Sequence, residues 1–360
     1  MGWSFSIGSI SGIRIRIHLT FALFLVWIGI AFWSEGGRPA MINGLVYVLL
    51  LFACVVLHEF GHILTARRYG SQTLDVVLLP IGGVARMKSI PEKPSQELAV
   101  ALAGPCVNFA IAAVLFVVLG SQTIMQDVTR PAKDIPILSQ LAIANIALAV
   151  FNLVPAFPMD GGRALRALLS YRMDRASATA LATRIGHVLA IGFGVLGFIA
   201  GHPLLMLVAL FIFLGATAEN NNTQLHQLAR RLKVSDGMIT RFSTLPVTSR
   251  IADAVSLLIH STQHDIPIVD GVGKMIGLLT RDRLLRAFHD LGADASVADV
   301  MQTDVPTVSD RAELEDALRF MDEENLPAVA VADQQGHLIG MVTLENLGQM
   351  LLLARLRPGK

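Results

Sequence analysis

Charged residues are scarce in this 360-residue chain. Asp, Glu, Lys and Arg make up 16% of it, against about 25% in soluble globular proteins. Hydrophobic residues reach 53% and the mean hydropathy is +0.57. The chain has too few charges to cover the surface of a soluble protein of this size, and it is too apolar to stay disordered. The composition therefore indicates a membrane protein.

Cysteine and net charge are also low. The two cysteines, Cys54 and Cys106, lie in separate apolar runs. Their number and spacing exclude a CxxC metal site and a disulfide framework. We expect each cysteine to act as a small buried hydrophobic residue. The formal net charge of +1 gives no indication of a nucleic-acid partner.

The apolar runs are confined to residues 1–220, which we interpret as a membrane domain followed by a soluble module. A membrane-spanning helix needs about 20 apolar residues. Six runs approach this length, although the last one is short: Leu19–Trp33, Asn43–Thr65, Leu98–Leu119, Ile137–Val154, Ala178–Ala200 and Pro203–Ala216. The predicted fold class is a polytopic α-helical membrane domain of about six transmembrane helices, with an α/β module after it.

The distribution of positive charge predicts the orientation in the membrane. An even number of spans places both termini on the same side. The segments on that side hold fourteen Lys and Arg residues, and the opposite segments hold three. Because Lys and Arg accumulate in cytoplasmic loops, we expect a multi-pass protein of the cell membrane with cytoplasmic N- and C-termini.

Ionisable residues occur within the second run, where they are costly and are expected to serve a function. His58-Glu59-Phe60-Gly61-His62 has the pattern H-E-x-x-H. Residues four apart share one face of a helix, so His58 and His62 can bind one metal ion, and imidazole suits zinc. Glu59 follows the first ligand, within reach of a metal-bound water. The alternative, a solvated helix face, does not suit a membrane span.

A catalytic zinc site has three protein ligands, so one is still missing. Asp160 is the candidate, because it follows the fourth run after two helix-breaking prolines; its alternative is a helix-terminal cap. Asn152 fits either a simple helix end or a hydrogen-bond donor to the substrate or an oxyanion. Asn108 fits either an interhelical hydrogen bond or the lining of the active cavity.

The two motifs together resemble the site-2 protease family of intramembrane zinc metalloproteases, of the M50 type. They are His58-Glu59-x-x-His62 and Asn152-x-x-Pro155-x-x-Pro158-Met159-Asp160-Gly161, each at its own span. Gly82-Gly83 is similar to the family's membrane-associated β-hairpin, and Ile15–His18 is similar to its short strand before the first span.

This resemblance implies regulated intramembrane proteolysis with one Zn²⁺ per chain. His58, His62 and Asp160 would hold the zinc, and Glu59 would activate a zinc-bound water for peptide-bond hydrolysis. The implied substrate is a single-span membrane protein of a bacterial or archaeal cell, such as a membrane-tethered regulator. An exposed strand within Leu74–Met87, suggested by a modest alternation of Leu74, Val76 and Leu78, would hold the unwound substrate by β-augmentation; a re-entrant or packing loop is the alternative.

The soluble module contains an internal repeat. Ala254–Thr280 aligns with Ala317–Thr343 without a gap, at an offset of 63 residues. Each unit has the order helix, strand, glycine turn, strand, helix, and the two units resemble a tandem pair of CBS domains. The expected organisation is a membrane domain over 1–220, a linker over 221–240 and CBS domains over 241–292 and 293–354.

CBS pairs often bind adenosine nucleotides, so the resemblance implies a regulatory function. Thr280 and Thr343 are available to a ribose or a phosphate, but Arg283 and Asn346 replace the Asp that holds ribose in the family's binding repeat. The alternative is a module for homodimerisation or substrate docking.

Two other interpretations of the whole chain are a CBS-gated transporter or channel and a catalytically inactive scaffold. A transporter would spread acids and hydroxyls along several spans. The ionisable groups here are concentrated in two motifs, and the intact Glu59 argues against the scaffold. Both observations favour the protease.

Overall fold

The structure is a computed structural model, and it describes residues 4–10, 12–71, 73–80, 82–87, 91, 93–120, 124, 127, 130, 135–303, 305–324 and 326–356. The chain forms two compact units, Met1–Asn220 and Asn221–Lys360. We name them the membrane unit and the tail unit.

Apolar helices build the membrane unit. They are α1 (Leu19–Arg68), α2 (Pro94–Leu119), α3 (Ile137–Asn152), α4 (Asp160–Leu169), α5 (Arg175–Ile199) and α6 (Pro203–Ala229). Four of them, α1, α2, α5 and α6, are long and apolar enough to cross a membrane, and α3 is a shorter apolar helix of 16 residues. The 50-residue α1 consists of two helices in succession, because Gly36 and Gly37 have non-helical backbone angles.

The predicted spans coincide with these helices in their order along the chain. Divided at its glycine break, α1 supplies the first two, so the described residues of the membrane unit, with the continuation of α6 beyond it, contain six apolar helical segments. Most predicted bounds lie a few residues from the observed helix ends, and the C-terminal ends of two segments differ for a clear reason. The fourth segment ends at Asn152 rather than Val154, ahead of the proline-containing turn. The sixth continues from the predicted end at Ala216 to Ala229, because polar residues end the apolar run without ending the helix.

A four-stranded sheet completes the membrane unit. Its strands are β1 (Ser4–Ile10), β2 (Ile13–His18), β3 (Thr73–Leu79) and β4 (Gly82–Met87), in that spatial order. β2 and β3 are parallel, and the other pairs are antiparallel. The predicted exposed strand over Leu74–Met87 is a hairpin of two strands. Its first strand, β3, pairs on both sides and is buried, so the expected exposure is wrong for β3. No described strand pairs with the other side of β4, so β4 is an edge strand.

The sequence of β3 alternates weakly because the strand is covered on both faces. Val76, Val77 and Leu78 are consecutive, and all three are buried. A strand in this position is apolar throughout rather than at every second residue. Val76 and Leu78 join Phe60 and Ile63 in one apolar core, which packs the sheet against the second half of α1.

The second half of α1 also packs closely against α2. A Cβ atom at Gly61 would lie 2.8 Å from both the carbonyl oxygen of Ala103 and Cγ2 of Val107. Because real Cβ atoms do not approach backbone so closely, glycine is required for this helix contact. The segment of α1 that contains the H-E-x-x-H motif is therefore held between α2 and the sheet.

Four charged side chains from four helices meet inside the membrane unit. Arg166 of α4 donates from Nε to Oε1 of Glu97 on α2 at 2.8 Å, and its Nη1 pairs with Glu219 on α6. Nη1 of Arg175 on α5 lies 3.5 Å from Oε2 of Glu97. Arg166 and Glu97 are 1% and 2% exposed. Removing one partner of such a buried pair typically costs about 3–5 kcal/mol.

The tail unit contains two repeats with one order of elements, preceded by α7 (Val234–Gly237). The first repeat consists of β5 (Leu245–Pro246), α8 (Ile251–His260), β6 (Asp265–Val269), β7 (Met275–Thr280) and α9 (Arg281–Leu291). The second consists of a 3₁₀ turn (Val297–Asp299), β8 (Thr307–Ser309), α10 (Leu314–Glu324), β9 (Ala328–Ala332), β10 (Leu338–Thr343) and α11 (Leu344–Leu356). β9 and β10 begin 63 residues after β6 and β7, which confirms the predicted offset.

Each repeat of the tail unit is completed by the segment that precedes the other one. Ile239, ahead of the first repeat, pairs with Met341 of β10, and Gln302, just ahead of β8 in the second repeat, pairs with Leu278 of β7. Ala229, the last residue of α6, lies in the apolar core of the second repeat. Residues 221–229 are thus helical, and the tail unit begins within α6.

Candidate metal centre

Three side-chain atoms converge at the centre of the membrane unit. His58 and His62 lie one turn apart on α1 and are buried, with 3.1 Å between their Nε2 atoms. Oδ2 of Asp160 lies 3.1 Å from Nε2 of His62 and 3.3 Å from Nε2 of His58. We name these three atoms the metal triangle.

The dimensions of the metal triangle suit zinc. Two donor atoms that each lie about 2.0–2.1 Å from a tetrahedral zinc ion are about 3.3–3.4 Å from each other. The three observed separations are close to this value, and two imidazoles with one carboxylate leave the fourth position open, as in catalytic sites. Across the part of the chain that the structure describes, no other group of three His, Cys, Asp or Glu side chains could hold a metal ion.

A hydrogen bond from α1 to α2 orients His62. Its Nδ1 lies 2.7 Å from the carbonyl oxygen of Val100. A carbonyl only accepts, so Nδ1 carries the proton, and in the neutral ring the lone pair is on Nε2, inside the metal triangle. Nδ1 of His58 is buried without a described hydrogen-bond partner, so His62 is the more firmly oriented of the two.

Gly104 of α2 leaves space at the metal triangle. A Cβ atom on this residue would lie 2.2 Å from Nε2 of His62 and 2.6 Å from Nε2 of His58. Val100 and Gly104 are one turn apart on the same face of α2. Val100 orients the His62 ring, and the missing side chain of Gly104 leaves the donor nitrogens of both histidines accessible to a metal ion.

Asp160 is the first residue of α4, and two glycines after it explain how it reaches the histidines. A Cβ atom on Gly161 would lie 2.3 Å from the carbonyl oxygen of Val154, and one on Gly162 would lie 2.5 Å from the nitrogen of Phe157. Glycine at both positions lets α4 begin in contact with the turn that follows α3. The helix N-terminus also favours the negative charge of the Asp160 carboxylate.

Glu59 lies between the motif histidines in sequence and contacts the sheet. A Cβ atom on Gly83 of β4 would lie 2.8 Å from Cγ of Glu59. The backbone of the edge strand therefore packs directly against the glutamate side chain. This places the predicted general base beside the strand that was predicted to hold the substrate.

The two predicted asparagines lie on α2 and at the end of α3. Asn108 is buried on α2, one turn beyond Gly104, and its Oδ1 has no described hydrogen-bond partner. Asn152 is the half-buried last residue of α3. Within the described residues, neither side chain forms a hydrogen bond with the metal triangle.

Several residues that shape the site carry no sequence motif. The acceptor at Val100 is a backbone atom, so its residue type gives no signal. Gly83 was part of a resemblance only, and Gly104 lies within an apolar run, where a glycine gives little signal. Arg166, Glu97 and Glu219 have a weak signal: each is a charge beside or within an apolar segment, where an ionisable residue is costly.

In the tail unit, the positions that would hold a ribose bind backbone instead. Nδ2 of Asn346 donates to the carbonyl of Gly237 at 2.7 Å, and Nη1 of Arg283 donates to that of Val300 at 3.4 Å. The hydroxyl of Thr343 accepts from the Asn346 backbone, while Thr280 forms no such cap. Burial raises the pKa of Asp265, which pairs with Thr280 across the sheet.

Comparison with known protein families covers both units. The profile of Peptidase family M50 matches residues 46–135 and 123–193. The profile of the CBS domain matches residues 232–290 and 297–349.

Whole-length relatives are also similar. A zinc metalloprotease of Methanocaldococcus jannaschii is 32% identical over 358 residues, which is 99% of this chain and 98% of the relative. Rip3 of Mycobacterium tuberculosis, whose name places it among zinc metalloproteases, is 28% identical over 97% of this chain and 93% of its own. A solved site-2 protease from M. jannaschii is 39% identical, covering 61% of this chain and 95% of its own, with a TM-score of 0.45.

The position of Gly104 generates a prediction about metal content. We expect Gly104→Ala to lower the zinc content of the purified protein well below one per chain, because the new methyl group would displace both imidazole nitrogens. Zinc per chain is measured by atomic emission. Gly192→Ala is the matched control, since nothing lies within 4 Å of its Cβ position on α5. Full zinc occupancy in Gly104→Ala would contradict the role of the metal triangle.

Proposed function

Because the chain belongs to peptidase family M50, we propose that it is an intramembrane zinc endopeptidase, which hydrolyses peptide bonds in or near transmembrane segments of membrane proteins. The observation that carries this proposal is the metal triangle of His58, His62 and Asp160, buried in an apolar helical unit. The substrate we infer is a single-span membrane protein such as a membrane-tethered regulator.

We infer two roles for the residues of the site, metal binding and proton transfer. His58, His62 and Asp160 would hold one zinc ion, which when bound acidifies water and polarises the scissile carbonyl. Glu59 removes a proton from the attacking water as the water oxygen bonds to the carbonyl carbon. Glu59 then passes that proton to the amine nitrogen as the C–N bond breaks, which balances the hydrolysis.

The edge strand β4 supports a mode of substrate binding. A transmembrane helix has its carbonyl groups in hydrogen bonds, so a substrate must unwind before it can be cleaved. An unwound segment that pairs with the free side of β4 would regain backbone hydrogen bonds. Because Gly83 of β4 packs against Glu59, such a segment would pass beside the general base.

Two variants test the catalytic roles. We expect Glu59→Gln to retain about one zinc per chain and to lose cleavage of a single-span substrate, because the amide cannot accept the water proton. We expect Asp160→Asn to lose zinc as well as cleavage, because a charged ligand is removed. Metal content and cleavage are measured on the same detergent-solubilised samples. Cleavage by Glu59→Gln, or unchanged zinc in Asp160→Asn, would refute the corresponding role.

The charge bias supports a multi-pass topology with cytoplasmic termini. A reporter fused after Lys360 tests it. We expect activity from a reporter that functions in the cytoplasm and none from one that functions only outside it, since the tail follows the sixth apolar segment. The reverse pattern would refute the orientation.

We propose regulation as the function of the tail unit, with adenosine nucleotide as one ligand and homodimerisation as the alternative. Thr280 supports nucleotide binding, because its hydroxyl is free of a helix cap. Against this, Arg283 and Asn346 are engaged with backbone carbonyls. Exposed apolar side chains on α9, including Leu285 and Phe288, support a contact with a second copy.

Titration of the full-length protein with AMP and with ATP distinguishes these alternatives. If the tail binds nucleotide, millimolar ligand raises the melting temperature of the tail unit by mass action, and Thr280→Val reduces the shift. A flat response to both ligands, together with a dimer in detergent that Phe288→Glu dissociates, would favour homodimerisation over nucleotide binding.

A further inference from the structure

The charge cluster of Arg166, Glu97, Glu219 and Arg175, in which Arg166 and Glu97 are buried, contains no metal ligand, yet it joins the helices that place two of the ligands. We propose that Arg166 is a positioning residue for the metal centre: through Glu97, Glu219 and Phe157 it fixes α4, which carries Asp160, relative to α2, which orients His62. This inference rests on the proposed zinc site and adds to it the groups that hold its geometry.

The first connection runs from Arg166 to Asp160. The guanidinium carbon of Arg166 lies 5.1 Å from the centroid of the Phe157 ring. Phe157 is 1% exposed and packs in an apolar core with Ala182 and Ala216. Phe157 precedes Asp160 by three residues in the turn between α3 and α4. Arg166 therefore restrains both α4 and the turn that leads into its first residue.

The second connection runs from Arg166 to His62. Glu97, which accepts from Nε of Arg166, lies in the first turn of α2. Val100 follows one turn later, and its carbonyl accepts from Nδ1 of His62. The ion pair and the imidazole hydrogen bond thus act on adjacent turns of one helix. A shift of α4 away from α2 would separate Asp160 from His62.

The chemistry of the cluster favours positioning over simple stability. Replacing a buried ion cluster by apolar residues of similar volume is often neutral or stabilising, so burial alone gives no reason to keep these charges. A planar guanidinium can bind two carboxylates along its edges while its face stacks on a ring. Arg166 binds the carboxylates of Glu97 and Glu219 and stacks on the ring of Phe157, three groups from different segments. These directional contacts define the relative positions of the segments more closely than apolar packing can.

The test measures metal binding and spectra rather than activity. Arg166→Lys keeps the charge but loses the two-edged contact. Glu219→Gln is the milder variant, because Arg166 keeps its pair with Glu97, and it tests the inference if the first variant does not fold. Ser139→Ala is the control, because it breaks a buried hydrogen bond of 2.7 Å to Asp127, and neither of these two residues belongs to α4 or α2. Zinc affinity is measured by chelator competition, ligand geometry by the visible spectrum of the cobalt-substituted full-length protein, and stability by thermal melting.

We expect Arg166→Lys to weaken zinc binding by about 10- to 100-fold, the usual effect of losing a group that orients metal ligands, and to alter the cobalt bands. Glu219→Gln should show a smaller change in the same direction. Ser139→Ala should melt at a lower temperature with unchanged affinity and spectrum. Wild-type affinity and spectra in both cluster variants, or an equal loss of affinity in Ser139→Ala, would overturn the inference. A wild-type protein that binds neither metal would overturn the metal centre itself.

Discussion

The hydrogen bond from Nδ1 of His62 to the carbonyl of Val100 is the interaction on which the rest of the site depends. It determines which ring nitrogen carries the proton, and so directs a lone pair toward His58 and Asp160. It also joins the helix of the H-E-x-x-H motif to α2. Through α2, the same bond connects the metal triangle with Glu97 and the charge cluster. The positions of the metal ligands therefore depend on how the helices of this unit pack.

Glycines let the backbone of neighbouring segments lie directly against the residues of the metal centre. Gly104 brings α2 to the imidazole nitrogens, Gly83 brings β4 to Glu59, and Gly161 lets α4 start against the preceding turn. Each position lacks room for a Cβ atom. The arrangement brings the backbone of the edge strand β4 against Glu59, as the proposed hydrolysis of an extended backbone would require. Two His, one Asp and one Glu would be costly in an apolar unit without such a use.

The sequence alone predicted the parts of the fold with a local or periodic signal. The apolar runs located the helices, the His58–His62 spacing placed two imidazoles on one face, and the 63-residue offset identified the repeats. Contacts between distant segments had no such signal. The Val100 acceptor is backbone, the Arg166 pairs join residues far apart in sequence, and the extension of α6 past Ala216 follows from helical backbone that polarity does not interrupt. Asp160 was found because prolines and glycines mark its turn, although its contact with the histidines depends on how four segments pack.

The charge cluster also bears on the order in which the protein becomes complete during synthesis. Arg166 takes one carboxylate from Glu97, which precedes it in the chain, and the other from Glu219, at the end of the membrane unit. His58, His62 and Asp160 leave the ribosome before Glu219 does. Until α6 is inserted, Arg166 lacks one of its two carboxylates in an apolar environment. An unfinished chain would thus hold all three metal-triangle residues while the position of α4 is still incompletely fixed.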